Sequence, residues 1–374
     1  MKYYIIAGEA SGDLHASNLM KEIRNQDNEA SFRVWGGDLM EAQGGIIVKH
    51  YKELAFMGFL TVLMNIKTIK NNFKICEKDI VEYNPDVIIL VDYPGFNLRI
   101  AKYAKSKGFK IFYYISPKIW AWKQSRIKQI KKYVDKMFTI FPFETEFYAK
   151  HNYKVDYVGN PLLDSISNRE NKNESFEEFI KRNNLENKPI ISILAGSRKQ
   201  EINRILPIML EASNEFKDYQ FIIAGAPSIS KSMYNKYTKE HNVKLLYNET
   251  YNIVNHSIAS LVTSGTATLE TALINTPQVV CYKTSGGRLF YNIAKSFLKI
   301  RFISLVNIIM DKTVVVELIQ HFMNKQNIVK EMNKILKDQD YYDNMLNQYK
   351  ELREKLGGEG ASKRAAEIIV KELH

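Results

Sequence analysis

Short apolar runs rich in β-branched and aromatic residues recur along this chain, with helical patterns between them. Tyr3–Ala7, Val87–Val91, Ile111–Ile115, Met137–Phe141 and Val155–Val158 form a first series. Ile190–Leu194, Phe221–Ala224, Lys244–Tyr247, Ile258–Val262 and Val279–Tyr282 form a second. Most of these runs are near-continuously apolar rather than alternating, which is the pattern of strands covered on both faces. With helices between them, they predict parallel sheets of the doubly wound α/β kind. A polar stretch from about Ser165 to Lys188 separates the series, and a new strand opens after Pro189. At 374 residues the chain is longer than one hydrophobic core usually serves. The expected division is two Rossmann-like domains, residues 1–165 and 166–344. The segment 345–374 is helical, and Gly357-Gly358-Glu359-Gly360 breaks it before a last helix over Ala361–Leu373. Such a break lets the chain cross back to the first domain.

The formal net charge is +12, which points to an anionic partner: a nucleotide, a nucleic acid or an anionic membrane. Cys76 and Cys281 are the only cysteines; each lies in or beside an apolar segment, without metal-type spacing, so core packing in a reducing compartment is expected. Met1-Lys2-Tyr3-Tyr4-Ile5-Ile6 runs straight into a strand pattern, with no signal-peptide core or cleavage site. No apolar stretch reaches the roughly 20 residues that span a bilayer. A cytoplasmic protein that rests on a membrane fits these features.

Four turns sit where strand patterns pass into helical ones. In Thr263-Ser264-Gly265-Thr266-Ala267-Thr268-Leu269-Glu270, small residues expose backbone N–H groups at a helix start, a ready anion site. The hydroxyls of Ser264, Thr266 and Thr268 add donors for phosphate oxygens, and Glu270, one turn in, is placed to accept from a ribose diol. The alternative is a capped helix with a solvated Glu. Ala7-Gly8-Glu9-Ala10-Ser11-Gly12-Asp13 is a second such turn, in which Gly8 and Gly12 permit close approach of a ligand. It matches neither the dinucleotide fingerprint nor a P-loop. Asp13 either serves the site or stabilises its own helix start. The third turn, Asp92-Tyr93-Pro94-Gly95-Phe96-Asn97, places Asp92 at a strand end, where a general base is useful. Asn97 suits a helix cap equally well. The fourth is Ala195-Gly196-Ser197-Arg198, where Ser197 meets an anion and Arg198 offers a diphosphate its planar fork. A surface pair between Arg198 and Glu201 is the competing reading.

Ser116-Pro117-Lys118-Ile119-Trp120-Ala121-Trp122-Lys123 combines aromatic and cationic side chains after a strand, which suits a sugar phosphate or a lipid headgroup. Leu54–Met64 is strongly apolar and leads into Lys67, Lys70 and Lys74; Arg288–Phe302 mixes bulky apolar residues with Lys295, Lys299 and Arg301. Each reads either as an interfacial segment or as a core helix. Asn307, in Ser304-Leu305-Val306-Asn307, suits a uracil edge or a phosphate. No cluster has metal-ligand spacing.

Together these motifs resemble the lipid-A-disaccharide synthase family of GT-B glycosyltransferases. The resemblance rests on GEASGD (Gly8–Asp13), the Asp92–Asn97 turn, SPKIWAW (Ser116–Trp122), FPFE (Phe141–Glu144), GNPLLD (Gly159–Asp164), GSR (Gly196–Arg198), SGTATLE (Ser264–Glu270) and SLVN (Ser304–Asn307), in that order over nearly the whole chain. It implies two doubly wound Rossmann-like domains facing each other across a cleft. The first, joined by the C-terminal helix of about 345–374, takes the acceptor, and the second takes the UDP-sugar. The implied reaction transfers 2,3-diacylglucosamine from UDP to 2,3-diacylglucosamine 1-phosphate (lipid X), with inversion and without metal or cofactor. Ser197, Arg198, Ser264, Gly265, Thr266, Ala267, Thr268, Glu270 and Asn307 fall to the donor site; Gly8, Glu9, Ser11, Gly12 and Trp120 fall to the acceptor side. Asp92 and Arg198 carry the chemistry. Many family members have a second Asp where this chain has Gly95, so that role is not carried over, and Glu9 and His15 rival Asp92 as base. The resemblance further implies a membrane surface as partner and is compatible with a homodimer that exchanges C-terminal segments; nucleic acid is not expected. The competing functions are a UDP-sugar epimerase-like GT-B enzyme and a non-catalytic lipid- or nucleotide-binding homologue.

Overall fold

The structure, a computed structural model, describes residues 1–54, 66–121, 123–239, 241–284 and 301–373. The readings placed on Leu54–Met64 beyond Leu54, on Trp122 and on most of Arg288–Phe302 lie outside these residues. The chain forms two compact units, Met1–Ser165 with Leu356–His374, and Ile166–Lys355.

The first unit is built on a seven-stranded sheet, β1 (Lys2–Ala7), β2 (Ser31–Gly36), β3 (Gly45–His50), β4 (Val87–Val91), β5 (Ile111–Tyr114), β6 (Lys136–Thr139) and β7 (Asp156–Tyr157), in the order β3-β2-β1-β4-β5-β6-β7. Every neighbouring pair is parallel. β4, Val-Ile-Ile-Leu-Val, is buried along its whole length, as its unbroken apolar run requires. Tyr4, Ile6, Ile88, Leu90 and Tyr113 belong to the core between sheet and helices.

The second unit carries β8 (Ile190–Leu194), β9 (Gln220–Gly225), β10 (Val243–Tyr247), β11 (Ser257–Thr263), β12 (Gln278–Tyr282) and β13 (Val316–Ile319), again all parallel, in the order β10-β9-β8-β11-β12-β13. Ser192 and Ser260, buried on neighbouring central strands, satisfy one another at 2.5 Å. Cys76 and Cys281 are free and buried, as their apolar settings predict.

Three strands escaped the apolar-run reading. β2 is interrupted by Arg33 and β3 is a half-exposed edge strand; β13 is an edge strand of four residues containing Glu317. Edge and polar positions weaken the hydrophobic signal on which such a reading depends.

The C-terminal helix Ala361–Lys371 packs on the first unit. Asp164, buried, accepts from the backbone N–H groups of Gly360 (2.6 Å) and Ser362 (3.0 Å). Arg364 donates to the carbonyls of Val158, Glu359 and Gly358. The GNPLLD segment therefore ends in a carboxylate that caps this helix.

Candidate active site

In each sheet the strand order reverses once, between β1 and β4 and between β8 and β11. Ligands of open α/β sheets bind outside the carboxyl ends of strands at such switch points. The turns at Gly8–Asp13, Asp92–Asn97, Gly196–Arg198 and Ser264–Glu270 follow β1, β4, β8 and β11, the four strands that flank the reversals.

In the first unit the turn after β4 is strained. Asp92 and Tyr93 both have left-handed backbone, φ 43° and 47°, and Ile115, after β5, has φ 63°. Each such non-glycine residue costs about 1–2 kcal/mol and persists only where its surroundings enforce it. Enforcement here comes from Asn97, whose Nδ2 donates to the carbonyls of Asp92 (2.8 Å), Val91 (3.2 Å) and Ile6 (3.4 Å). Tyr113 donates its hydroxyl to the same Asp92 carbonyl. Asn97 is thus a staple across two strand ends rather than the expected helix cap. Gly8 is required by close approach, since a Cβ there would lie 2.4 Å from the Tyr93 ring. A Cβ at Gly95 would meet no atom within 4 Å.

The Asp92 residue keeps some solvent access, yet its carboxyl is densely surrounded by protein. Burial pushes its pKa up, and the charge of Lys118 opposes that rise. Glu9 and Ser11 are exposed at the turn after β1, and Glu9 acts electrostatically on Tyr93. Gly12 packs against Ala7, where a Cβ would come within 3.2 Å. Asp13 lies in the first turn of its own helix, and its carboxylate also accepts from the N–H groups of Gly37, Leu39 and Met40 and caps the neighbouring helix Asp38–Ala42. His15 is buried, and burial lowers its pKa to about 4, so the rival base is a neutral imidazole turned into the protein. Trp120 packs edge-on against Phe143 at 4.9 Å. Glu144, quoted in the sequence only as part of a motif, is fully buried, and burial lifts its pKa to about 7.

In the second unit the turn after β8 brings Ser197 and Arg198 to the surface. Glu201 accepts from the Ser197 N–H at 3.2 Å and pairs with Arg198 at 3.4 Å, so the competing surface pair is present. Gly196 has φ 102°, and a Cβ there would sit 2.5 Å from the Glu201 carboxylate. After β11, Gly265 and Thr266 are exposed at the start of helix Thr266–Leu273, and Ala267 is partly exposed. Ser264 donates to the Ile303 carbonyl at 2.8 Å. Glu270 is lifted by burial to about 7 and receives a hydrogen bond from the Tyr251 hydroxyl at 3.2 Å. Tyr251 carried no signal in the sequence, because it reaches Glu270 only through the fold.

Two residues expected at the donor site make their hydrogen bonds within the protein. Thr268 is fully buried and spends its hydroxyl proton on the Gly265 carbonyl at 2.8 Å, so it is a structural residue of the turn. Asn307 is also fully buried. Its Nδ2 donates to the Val315 carbonyl and to Glu317, both at 2.9 Å, and its Oδ1 accepts from the N–H groups of Val314 (2.8 Å) and Val315 (3.0 Å). A side-chain amide has two donors and two acceptor positions, and all four are filled. Asn307 shapes the loop before β13.

Among solved structures, a UDP-bound MnaA of S. aureus superposes with TM-score 0.68 at 15% identity, covering 100% of this chain and 96% of that one. The UDP-GlcNAc 2-epimerase of Methanocaldococcus jannaschii, solved with UDP-GlcNAc and UDP, gives 0.67 at 13% identity, covering 99% of this chain and 100% of that one. At such identity these likenesses speak for the fold. Two parallel-sheet units with their motifs at the switch points define a protein of the GT-B class.

The profile of the lipid-A-disaccharide synthetase family matches residues 3–372. The lipid-A-disaccharide synthase of Trichlorobacter lovleyi is 35% identical over 373 residues, 98% of this chain and 96% of that protein. That of Syntrophus aciditrophicus is 37% identical over 369 residues, 97% of this chain and 95% of that protein. The chain belongs to the lipid-A-disaccharide synthetase family and is a glycosyltransferase of lipid A disaccharide synthesis. The family works on UDP-sugar and lipid substrates.

Proposed function

We propose that this enzyme transfers diacylglucosamine from UDP-2,3-diacylglucosamine to the primary hydroxyl of lipid X, with Asp92 as general base. The observation that carries the base assignment is the carboxylate of Asp92 at the end of β4, on a strained turn, with a raised pKa and Lys118 as its cationic neighbour. A base poised nearer neutrality than an ordinary carboxylate is matched to its task. The acceptor hydroxyl loses its proton to Asp92 as its oxygen bonds to the anomeric carbon. The bond from that carbon to the diphosphate oxygen breaks, and UDP leaves with the electron pair. The configuration inverts because attack comes opposite the leaving group.

Donor binding falls to the second unit. Arg198 and the main-chain N–H groups at Gly265–Ala267 take the diphosphate charge, Glu270 accepts from the ribose, and Ser197 lines the same strand end. The acceptor falls to the first unit, at the Gly8–Gly12 turn with Glu9, Ser11 and Trp120. A lipid acceptor also requires a membrane surface. No described helix is long and apolar enough to cross a bilayer. The helix Ile66–Tyr83 instead exposes Lys67, Lys70, Lys74 and Lys78 along one side. Such a stripe suits the anionic cytoplasmic leaflet, at about 1 kcal/mol per lysine near the surface. A homodimer that exchanges C-terminal segments would use the Asp164 and Arg364 contacts between two chains, which light scattering decides.

The test is turnover of UDP-diacylglucosamine and lipid X in detergent by wild type and Asp92→Asn, with folding and UDP binding checked. Loss of product in the variant alone supports the base; product from both moves it to Glu9. No product from wild type despite UDP binding rejects the transfer in favour of a binding-only protein.

A further inference from the structure

One oxygen of Glu144 has a complete structural task. Oε2 accepts from the N–H groups of Ile140 (3.1 Å) and Phe141 (3.0 Å) at the start of helix Pro142–Ala149. The other oxygen, Oε1, is buried without a hydrogen-bond partner. The indole Nε1 of Trp120 is also buried without one. The Ser116 hydroxyl and the Trp120 indole lie close enough to the carboxyl to draw its proton affinity down, though neither closes a bond of normal geometry with it. A buried donor or acceptor left unmade costs about 1–3 kcal/mol, and a charged one more. Here an unmade acceptor and an unmade donor stand side by side on two different segments, and each is what the other needs.

The segment that carries the indole is the loop after β5. Its first residue, Ser116, hydrogen-bonds the Tyr148 hydroxyl at 2.8 Å, and Trp120 wedges against Phe143. Both anchors lie on the helix that Glu144 starts. Between them the loop carries Lys118, the cation that opposes the burial of Asp92. Ile115, immediately before it, holds a left-handed backbone that a β-branched residue adopts only under constraint.

We propose that Glu144 is a positioning residue for the transfer: it holds the Ser116–Trp120 loop, and with it Lys118, in register with Asp92. The proposal rests on the reading of Asp92 as base. Tyr148 and Tyr157 also face Glu144, while Tyr113, itself near Arg126, faces Asp92. Burial pushes all three tyrosines upward, so they stay neutral in the working range and leave Lys118 and Arg126 as the charges that matter.

Glu144→Gln tests this with little change of shape. The Gln carbonyl still accepts from Ile140 and Phe141, but its amide sets a donor against the indole N–H. The expected result is a fall of about tenfold in kcat with KM nearly unchanged. The acid limb of kcat/KM should also move up by about one pH unit, because Asp92 loses its cation. Lys118→Met should give the same shift, and the double variant no more than either alone. Tryptophan emission should change in Glu144→Gln and not in Glu144→Gln combined with Trp120→Phe, relative to Trp120→Phe. A lower Tm with an unmoved acid limb and unmoved emission would reduce Glu144 to a helix cap and overturn the proposal, as would additive effects in the double variant. If Asp92→Asn stays active the base assignment fails separately, and the emission comparison still decides whether Glu144 holds the loop.

Discussion

Glu270 offers the sharpest quantitative test of the donor site. Burial lifts its pKa to about 7, and the Tyr251 hydrogen bond pulls in the opposite direction. Only an ionised carboxylate accepts with both oxygens, as a ribose diol requires. If the empty enzyme must lose that proton to bind UDP, the apparent Kd exceeds the intrinsic one by about elevenfold at pH 6, about twofold at pH 7 and about 1.1-fold at pH 8. Calorimetric titration with UDP at these three pH values should therefore show about tenfold weakening from pH 8 to pH 6 beyond what Glu270→Gln shows. The variant is the necessary reference, because the terminal phosphate of UDP titrates near pH 6 and does so in both proteins. At pH 7 about half a proton should leave per UDP bound, read from the heat in two buffers of different ionisation enthalpy. Tyr251→Phe removes a donor to the charged form, so it should raise the pKa further and move the whole curve to higher pH. Parallel pH dependence in wild type and Glu270→Gln would refute the reasoning, whatever the absolute affinity.

Three further outcomes are expected. Gly95→Asp should fold normally, since a Cβ there meets open space in the first turn of helix Pro94–Ser106, and it should restore measurable turnover to Asp92→Asn in the disaccharide assay. Asp164→Ala removes the acceptor for Gly360 and Ser362 and should cost about 1–2 kcal/mol, seen as a lower unfolding midpoint and faster proteolysis at Gly357-Gly358. His15 is held near pKa 4 when folded and returns to about 6.5 when unfolded, so its neutral burial favours the fold above pH 6.5 and is lost as pH falls toward 4. The loss amounts to about 3 kcal/mol, and His15→Gln should flatten the fall in Tm between pH 7.5 and 5.

What the sequence displays and what it hides divide along physical lines. The central strands are legible because burial on both faces excludes charged residues, as in β4 and β8. The four turns are legible because small residues and glycine come directly after those strands. Edge strands β3 and β13 are not, because one open side admits Lys49 and Glu317, and β2, although paired on both sides, is interrupted by Arg33. Partners distant in sequence are hidden for another reason. Nothing near Asp13 announces that it caps a helix starting at Asp38, and nothing near Glu144 tells which of its oxygens is spent. Asn307 and Thr268 look like ligand donors for the same reason: a polar side chain in a motif has the same letter whether it faces a phosphate or a carbonyl.

At the donor turn that ambiguity resolves toward internal hydrogen bonding. Ser264 gives its proton to Ile303, Thr268 to Gly265 and Thr271 to Ala267. Glu317 gathers the N–H groups of Ile303 and Ser304, the Ser304 hydroxyl and the Asn307 amide, and so fixes the carbonyl to which Ser264 is tied. The hydroxyls of Ser264, Thr268 and Thr271 thus spend their protons on main-chain carbonyls. The first amides of a helix, by contrast, have no intrahelical partner by geometry. On the proposed reading, a phosphate here would meet main-chain N–H groups on a turn held by these bonds, and groups that need not reorganise stabilise a developing charge most effectively. On the proposed reading, replacing Ser264 or Thr268 should therefore weaken UDP binding by loosening the turn, whereas replacing Arg198 should weaken it by removing a charge from the diphosphate. Ionic strength separates the two: affinity lost through Arg198 should shrink in high salt, and affinity lost through the hydroxyls should not.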